Sequence, residues 1–263
     1  ALSFGPDPCL AAPDRSPFPR VIVTRRNPSP PSSPTSSPTA SPVLSSAPLP
    51  TIPLPVDAIL FDLLTALLDS WSLWNAAAGS EVDGRRWRMR YLALTYAAGA
   101  YRPYEDVLQD SAREAGLPAI AAQALVDTWD DMQPWPEVPS LWTALPGTLR
   151  LGVVTNCSTA LAGRAVRRLG HRMDVVVAAE QAGAYKPDAR PYQRALEQLA
   201  LPPSRVLFVA GSPADIPGAS GVGMPVIWHN RLGLERSPGT QAPVAEIGSL
   251  ARLPQCIVPA APR

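Results

Sequence analysis

A chain of 263 residues is long enough for one large domain, or for a core carrying an insert, around a sizeable buried centre. Its 23 basic and 22 acidic residues leave a formal charge of +1, which gives no electrostatic case for nucleic acid or an anionic membrane as main partner. No apolar run approaches the roughly 18 to 20 residues that span a bilayer, and with only His171 and His229 present a three-histidine metal site is excluded.

In chain order, residues 27–55 come first as a distinct texture, about two-thirds Pro, Ser and Thr. Such a composition cannot bury enough apolar surface to offset ordering entropy, so residues 1–54 are expected to be disordered. Arg15, Arg20, Arg25 and Arg26 face only Asp7 and Asp14 there. That mildly resembles an organelle transit segment, and equally fits an ordinary disordered tail. From Val56 the texture changes. Asp57-Ala58-Ile59-Leu60-Phe61-Asp62 is a short apolar run of the kind that forms a buried parallel strand. Similar runs follow at 149–154, 173–178, 206–210 and 225–228, with helical patterns at 160–169 and 189–199. This alternation predicts an α/β fold, a Rossmann-like doubly wound parallel sheet with helices on both faces.

Between the first two strands lie about 80 residues, far too many for a simple crossover. Helical patterns at 85–98, 104–115 and 119–131 make this an inserted helical cap domain. The expected division is therefore 55–70 plus 146–263 for the core and 71–145 for the cap. Six of the seven tryptophans fall in or beside the insert, Trp71, Trp74, Trp87, Trp129, Trp135 and Trp142. Most of them read as the core of a small bundle.

In an open parallel sheet, ligands bind beyond the carboxyl ends of the strands. Strand one ends in Asp62 and strand two in Thr155-Asn156. The turn after strand three leads to Tyr185-Lys186-Pro187, and strand four ends in Gly211-Ser212-Pro213-Ala214-Asp215. Each is weak alone, since an aspartate after a strand is often only a helix cap. Their ordered recurrence is not. Cys9, Cys157 and Cys256 lack metal-type spacing and fit a reducing compartment better than a disulfide framework. Nothing near Cys157 would activate a thiolate.

This ordered set resembles the haloacid dehalogenase superfamily over most of residues 56–235, and within it the 2-haloacid dehalogenases. The matching pieces are Phe61-Asp62, Trp87-Arg88, Val154-Thr155-Asn156, Tyr185-Lys186-Pro187-Asp188 with Tyr192, Leu207-Phe208-Val209, Asp215 and Trp228-His229-Asn230-Arg231. The resemblance implies that Asp62 attacks carbon to form an ester, which water then hydrolyses. It implies that Lys186 keeps Asp62 ionised, and that Asp215 stabilises Lys186 and helps position water. Arg88 would receive a leaving halide. Thr155, Asn156, Tyr192 and Ser212 would contact substrate.

Phosphatases of the superfamily need Mg²⁺ and a second acid two residues past the nucleophile. Here that position is Leu64, and Ser212 stands where phosphatases carry an acid after Gly211. Halide leaves without protonation, so a metal-independent dehalogenase with no cofactor is the favoured expectation. Mg²⁺ enters only with the phosphatase alternative, and a catalytically silent binding protein is a third reading. Dehalogenases commonly carry Tyr-Gly-Thr where this chain has Leu64-Thr65-Ala66, so Thr65 is the candidate for a displaced hydroxyl. An asparagine and a tryptophan give way to Ser212 and Ala214, which enlarges the expected pocket. The expected partner is a small-molecule substrate, with no nucleic acid and no membrane, homodimerisation left open, and a cytoplasmic location unless the Arg-rich start directs organelle import.

Overall fold

The computed structural model describes residues 53–261. The expected disordered segment lies outside this range except for Pro53 and Leu54, and Leu54 already opens a strand. In chain order the elements are β1 (Leu54–Val56), β2 (Ala58–Asp62), α1 (Ser70–Ala78), α2 (Glu81–Ala97), α3 (Tyr104–Glu114), α4 (Ile120–Asp127) and α5 (Val138–Ala144). They continue with β3 (Arg150–Thr155), α6 (Thr159–Arg167), β4 (Val175–Ala178), α7 (Ala179–Ala182), α8 (Ala189–Leu199) and β5 (Val206–Ala210). The chain closes with α9 (Asp215–Gly221), β6 (Val226–His229), β7 (Ala245–Ile247) and β8 (Ile257–Pro259). Among the described residues no helix is long and apolar enough to cross a membrane.

Six parallel strands form the sheet in the order β4-β3-β2-β5-β6-β7, and β1 pairs with β8 in a small parallel ribbon. From β2 the chain winds outward through β3 and β4, then returns to lay β5 on the other side of β2. The switch point therefore falls between β2 and β5, where the carboxyl ends of the strands open a crevice. Every residue of β2 and β5 is buried, as a strand covered on both faces requires. Alternation along β2 splits the core. Ile59 and Phe61 join one apolar cluster with Val153 and Val209, while Ala58 and Leu60 join another with Phe208 and Tyr192.

Helices α1 to α5 fill the interval between β2 and β3. Ser80 caps α2 by accepting from Asp83 N at 3.1 Å, so this helix starts four residues earlier than its apolar pattern suggests. Trp74, Trp87, Trp129 and Trp135 are buried, as expected of a small bundle core, and Trp87 Nε1 donates to Ser111 Oγ at 2.8 Å. The insert is fastened to the sheet at several points. Tyr101 N donates to Gly183 O at 2.9 Å and Tyr185 OH to Arg102 O at 2.8 Å. Arg190 Nη2 donates to Gly99 O, and Tyr91 OH donates to Asn156 O at 2.7 Å.

Candidate active site

Asp62 closes β2 and immediately starts a single wide turn, Leu63–Leu67, in which Leu68 N reaches back to Leu63 O at 3.2 Å. Its Oδ2 accepts from Thr65 N at 2.8 Å, from Ala66 N at 3.2 Å and from the Thr65 hydroxyl. Asp62 thus caps the turn through one oxygen and leaves the other facing elsewhere. The Thr65 hydroxyl lies against Asp62, in the neighbourhood where a displaced hydroxyl was expected. Gly211, at the end of β5, makes room: a Cβ there would lie 2.3 Å from both Ala66 N and Thr65 Oγ1. Behind the turn, Trp135 Nε1 donates to Thr65 O at 3.1 Å and His229 Nδ1 to Ala66 O at 2.9 Å.

The free side of Asp62 meets Lys186. Its Nζ donates to Asp62 Oδ1 at 2.7 Å and to Asp215 Oδ2 at 3.2 Å, with the lysine side chain 2% exposed. Burial alone would raise the Asp62 pKa, but the Lys186 charge and the Thr65 donors outweigh it and hold the carboxyl below its ordinary value. Burial likewise opposes the Lys186 charge, and Asp215 and Asp62 together keep it above the usual lysine range. Asp215 is the loser of the shared cation. Burial pushes it up to about 6, with Lys186 pulling down and Asp62 adding repulsion. One ammonium between two buried carboxylates leaves one firmly ionised and the other poised near neutrality.

Four residues expected to contact substrate bond to the protein itself in this structure. Asn156 donates from Nδ2 to Lys186 O at 3.0 Å and accepts from Lys186 N at 2.7 Å, so its amide grips the backbone of the lysine. Tyr192 is fully buried on α8 and its hydroxyl lies 3.4 Å from Asp215 Oδ1, bracing that carboxylate. Thr155 is also fully buried, its hydroxyl 3.6 Å from Cys157 Sγ. Ser212 is half-buried and its Oγ accepts from Ala214 N at 3.3 Å, ordering its own loop. Burial pushes the Cys157 thiol up to about 12, in keeping with an inert side chain.

Arg88 comes from α2 and is buried, not part of a solvated face. Its guanidinium stacks 4.2 Å from the Trp71 ring centroid and 5.4 Å from that of Trp74, and Nη1 donates to Ser70 Oγ at 3.0 Å. Burial lowers its pKa, and the principal charge opposing that effect is Asp62. No ion pair to Arg88 is formed among the described residues. Ser70, Trp71, Trp74, Trp135, His229 and Gly211 were not marked by the sequence reading as site residues. Only the glycine directly after an apolar strand carried a hint of close backbone approach.

The superfamily implies a divalent cation in its phosphatase members, and these residues do not fit one. Among the described residues no group of three His, Cys, Asp or Glu side chains is placed to hold a metal. The Lys186 ammonium lies between Asp62 and Asp215 and already takes one oxygen of each.

Residues 56–223 match the family model of the haloacid dehalogenase-like hydrolases. An (S)-2-haloacid dehalogenase of Pseudomonas sp. (strain YL) is 30% identical over 213 residues, covering 74% of this chain and 91% of that protein. A pyrimidine 5'-nucleotidase of Escherichia coli (strain K12) is 34% identical over 128 residues, covering 47% of this chain and 56% of that protein. A solved L-2-haloacid dehalogenase aligns with a TM-score of 0.69 at 26% identity, over 76% of this chain and 98% of that one. The doubly wound sheet and its helical insert thus have a counterpart along nearly the whole length of a known enzyme, and the chain belongs to the haloacid dehalogenase-like hydrolases.

Proposed function

We propose that the protein is a metal-independent hydrolytic dehalogenase acting on a 2-haloacid or related small carboxylic acid, with Asp62 as nucleophile. The observation that carries this reading is the buried Asp62–Lys186 pair at the end of β2, which keeps a nucleophile charged in a nearly dry site. Oδ2 of Asp62 is occupied by three donors, whereas Oδ1 meets only Lys186. Oδ1 therefore keeps the lone pair that attacks. A C–O bond forms as the carbon–halogen bond breaks, and the halide departs with its bonding electrons toward Arg88, a desolvated cation flanked by indole rings. Water then adds to the ester carbonyl at Asp62 Cγ, passing a proton to Asp215, the buried carboxylate held beside Lys186 and the Tyr192 hydroxyl. As the intermediate collapses, Asp215 returns its proton to the departing alkoxide, which leaves as the hydroxy acid, and Asp62 loses the second water proton to solvent and is a carboxylate again. Asn156 and Tyr192 serve this chemistry indirectly, by fixing Lys186 and Asp215. The helical insert acts as the cap.

A second reading, phosphomonoester hydrolysis, draws on the nucleotidase relative. Leu64 deprives it of a general acid, and among the described residues no group of three His, Cys, Asp or Glu side chains is placed to hold its metal. Halide release from 2-chloropropionate, followed with and without Mg²⁺, separates the two. Release should be indifferent to Mg²⁺ and vanish in Asp62→Asn. Release that persists in Asp62→Asn removes the nucleophile, and Mg²⁺-dependent turnover of an aryl phosphate in place of halide release favours the second reading.

A further inference from the structure

The turn that carries Asp62 points its amides and its carbonyls in opposite directions. The N–H groups of Thr65 and Ala66 aim at Asp62 Oδ2, at 2.8 and 3.2 Å. The carbonyls of Thr65, Ala66 and Leu67 are taken from behind. Trp135 Nε1 donates to the first at 3.1 Å, His229 Nδ1 to the second at 2.9 Å, and Trp135 N to the third at 3.0 Å. All the turn residues are buried, so these carbonyls depend on protein donors.

His229 gives up something to make its bond. A carbonyl only accepts, so Nδ1 carries the proton, and burial keeps the ring neutral down to about pH 4. Nε2 is then a bare lone pair with no partner among the described residues, 3.9 Å from Glu137 Oε1. What the ring gains in exchange is the bond to Ala66 O. The Trp135 ring is braced in turn. Arg231 stacks 4.5 Å from the Trp135 ring centroid and pairs with Glu137 at 2.7 Å, while Glu137 also accepts from Ser249 Oγ at 2.9 Å and Leu250 N at 3.1 Å.

We infer that His229 and Trp135 are positioning residues: by holding the Thr65 and Ala66 carbonyls they aim the paired amides at Asp62 Oδ2 and leave Oδ1 as the reacting oxygen. Neither side chain touches Asp62, so both act through the turn. The inference rests on the reading of Asp62 as nucleophile. The charges that act on Asp62, namely Lys186, Asp215 and Arg88, are untouched by changes at either position.

The test uses the full chain labelled with ¹⁵N. The Thr65 and Ala66 amide shifts followed against pH read the ionisation midpoint of Asp62 without any substrate, and kcat and KM for 2-chloropropionate are measured beside them. His229→Leu removes the donor, His229→Asn restores an N–H close to the place of Nδ1, and Trp135→Phe removes the indole N–H together with part of the ring, while the Trp135 backbone N–H that serves Leu67 O stays. His229→Leu and Trp135→Phe should each raise the midpoint by about one unit and lower kcat about tenfold with little change in KM. His229→Asn should stay near native in both. Unchanged midpoints in His229→Leu and Trp135→Phe overturn the inference. So does a His229→Asn as shifted as His229→Leu, which would make ring volume responsible. Should His229→Leu fail to fold, Trp135→Phe carries the same test. Shifted midpoints in a protein whose native form releases no halide would sink the dehalogenase reading and leave the positioning role standing.

Discussion

Replacing Lys186 with methionine removes the charge on which the whole site turns. The ammonium bridges Asp62 at 2.7 Å and Asp215 at 3.2 Å, and both carboxylate side chains are 8% exposed. Their charges would be stranded together, and breaking a buried pair of this kind costs about 3–5 kcal/mol. Proton uptake caps the cost. Neutralising one carboxyl with an ordinary pKa near 4 requires about 4 kcal/mol at pH 7 and about 1.4 kcal/mol at pH 5. The two routes agree at pH 7, so the penalty should shrink to roughly 1–2 kcal/mol at pH 5.

The signs distinguish the variant from the native protein. Native Asp62 has a depressed pKa, so its stabilisation is present above the unfolded value and is lost as pH falls through the folded one. Native Asp215 works the other way, gaining stability as pH falls through about 6. In Lys186→Met both carboxyls prefer the proton when folded. Stability should then be greatest in acid and decline as pH rises above the unfolded carboxyl range. Urea denaturation followed by circular dichroism at pH 5 and pH 7 measures this, and halide release should be lost. Equal destabilisation at both pH values, or none at pH 7, would refute the electrostatic account.

Gly211→Ala should lower stability by about 1–3 kcal/mol, because the added Cβ meets backbone atoms of Thr65 and Ala66 as well as the Thr65 hydroxyl; an unchanged thermal midpoint would contradict the close approach. Thr65→Val should slow halide release about 10- to 100-fold, the value of a hydrogen bond to a charged group, while Thr65→Ser should retain most activity. If both variants behave alike, the hydroxyl is not what matters. Ester hydrolysis should fade in acid as Asp215 takes up a proton, and below pH 6, because esterification removes the Asp62 charge that helps to raise that carboxyl. Intact-mass measurement after acid quench should find a larger fraction of covalent adduct at pH 4 than at pH 8, and equal fractions would remove Asp215 as the base.

The sheet was legible where burial on both faces forces a continuous apolar run, as in β2 and β5. β7 escaped notice because three residues carry no period. Its identity comes from the partner strand, with Ala245 opposite Ile227. α1 was missed for a related reason, since its short Trp-rich segment owes its helicity to packing on α2 and α4 more than to pattern. Asp62, Lys186 and Asp215 could be found because strand ends in such a sheet converge on one crevice. The partners of Asn156, Tyr192 and Thr155 could not. A short polar side chain bonds whatever the fold brings within 3 Å, and for Asn156 that is the backbone of a residue 30 positions away. Thr65 shows the middle case: its hydroxyl was visible, while the glycine that admits it lies on another strand.

The fastening of the insert bears on how anything enters. The segment between α2 and α3 is bonded to the same loop that bears Lys186, through Gly183, Tyr185 and Arg190, and Tyr91 grips Asn156 from above. A hinged lid would have to break those bonds and would drag the lysine away from Asp62 as it rose. Access to Asp62 is therefore expected to depend on side-chain movement where the insert meets the core, more than on a rigid swing of the whole insert.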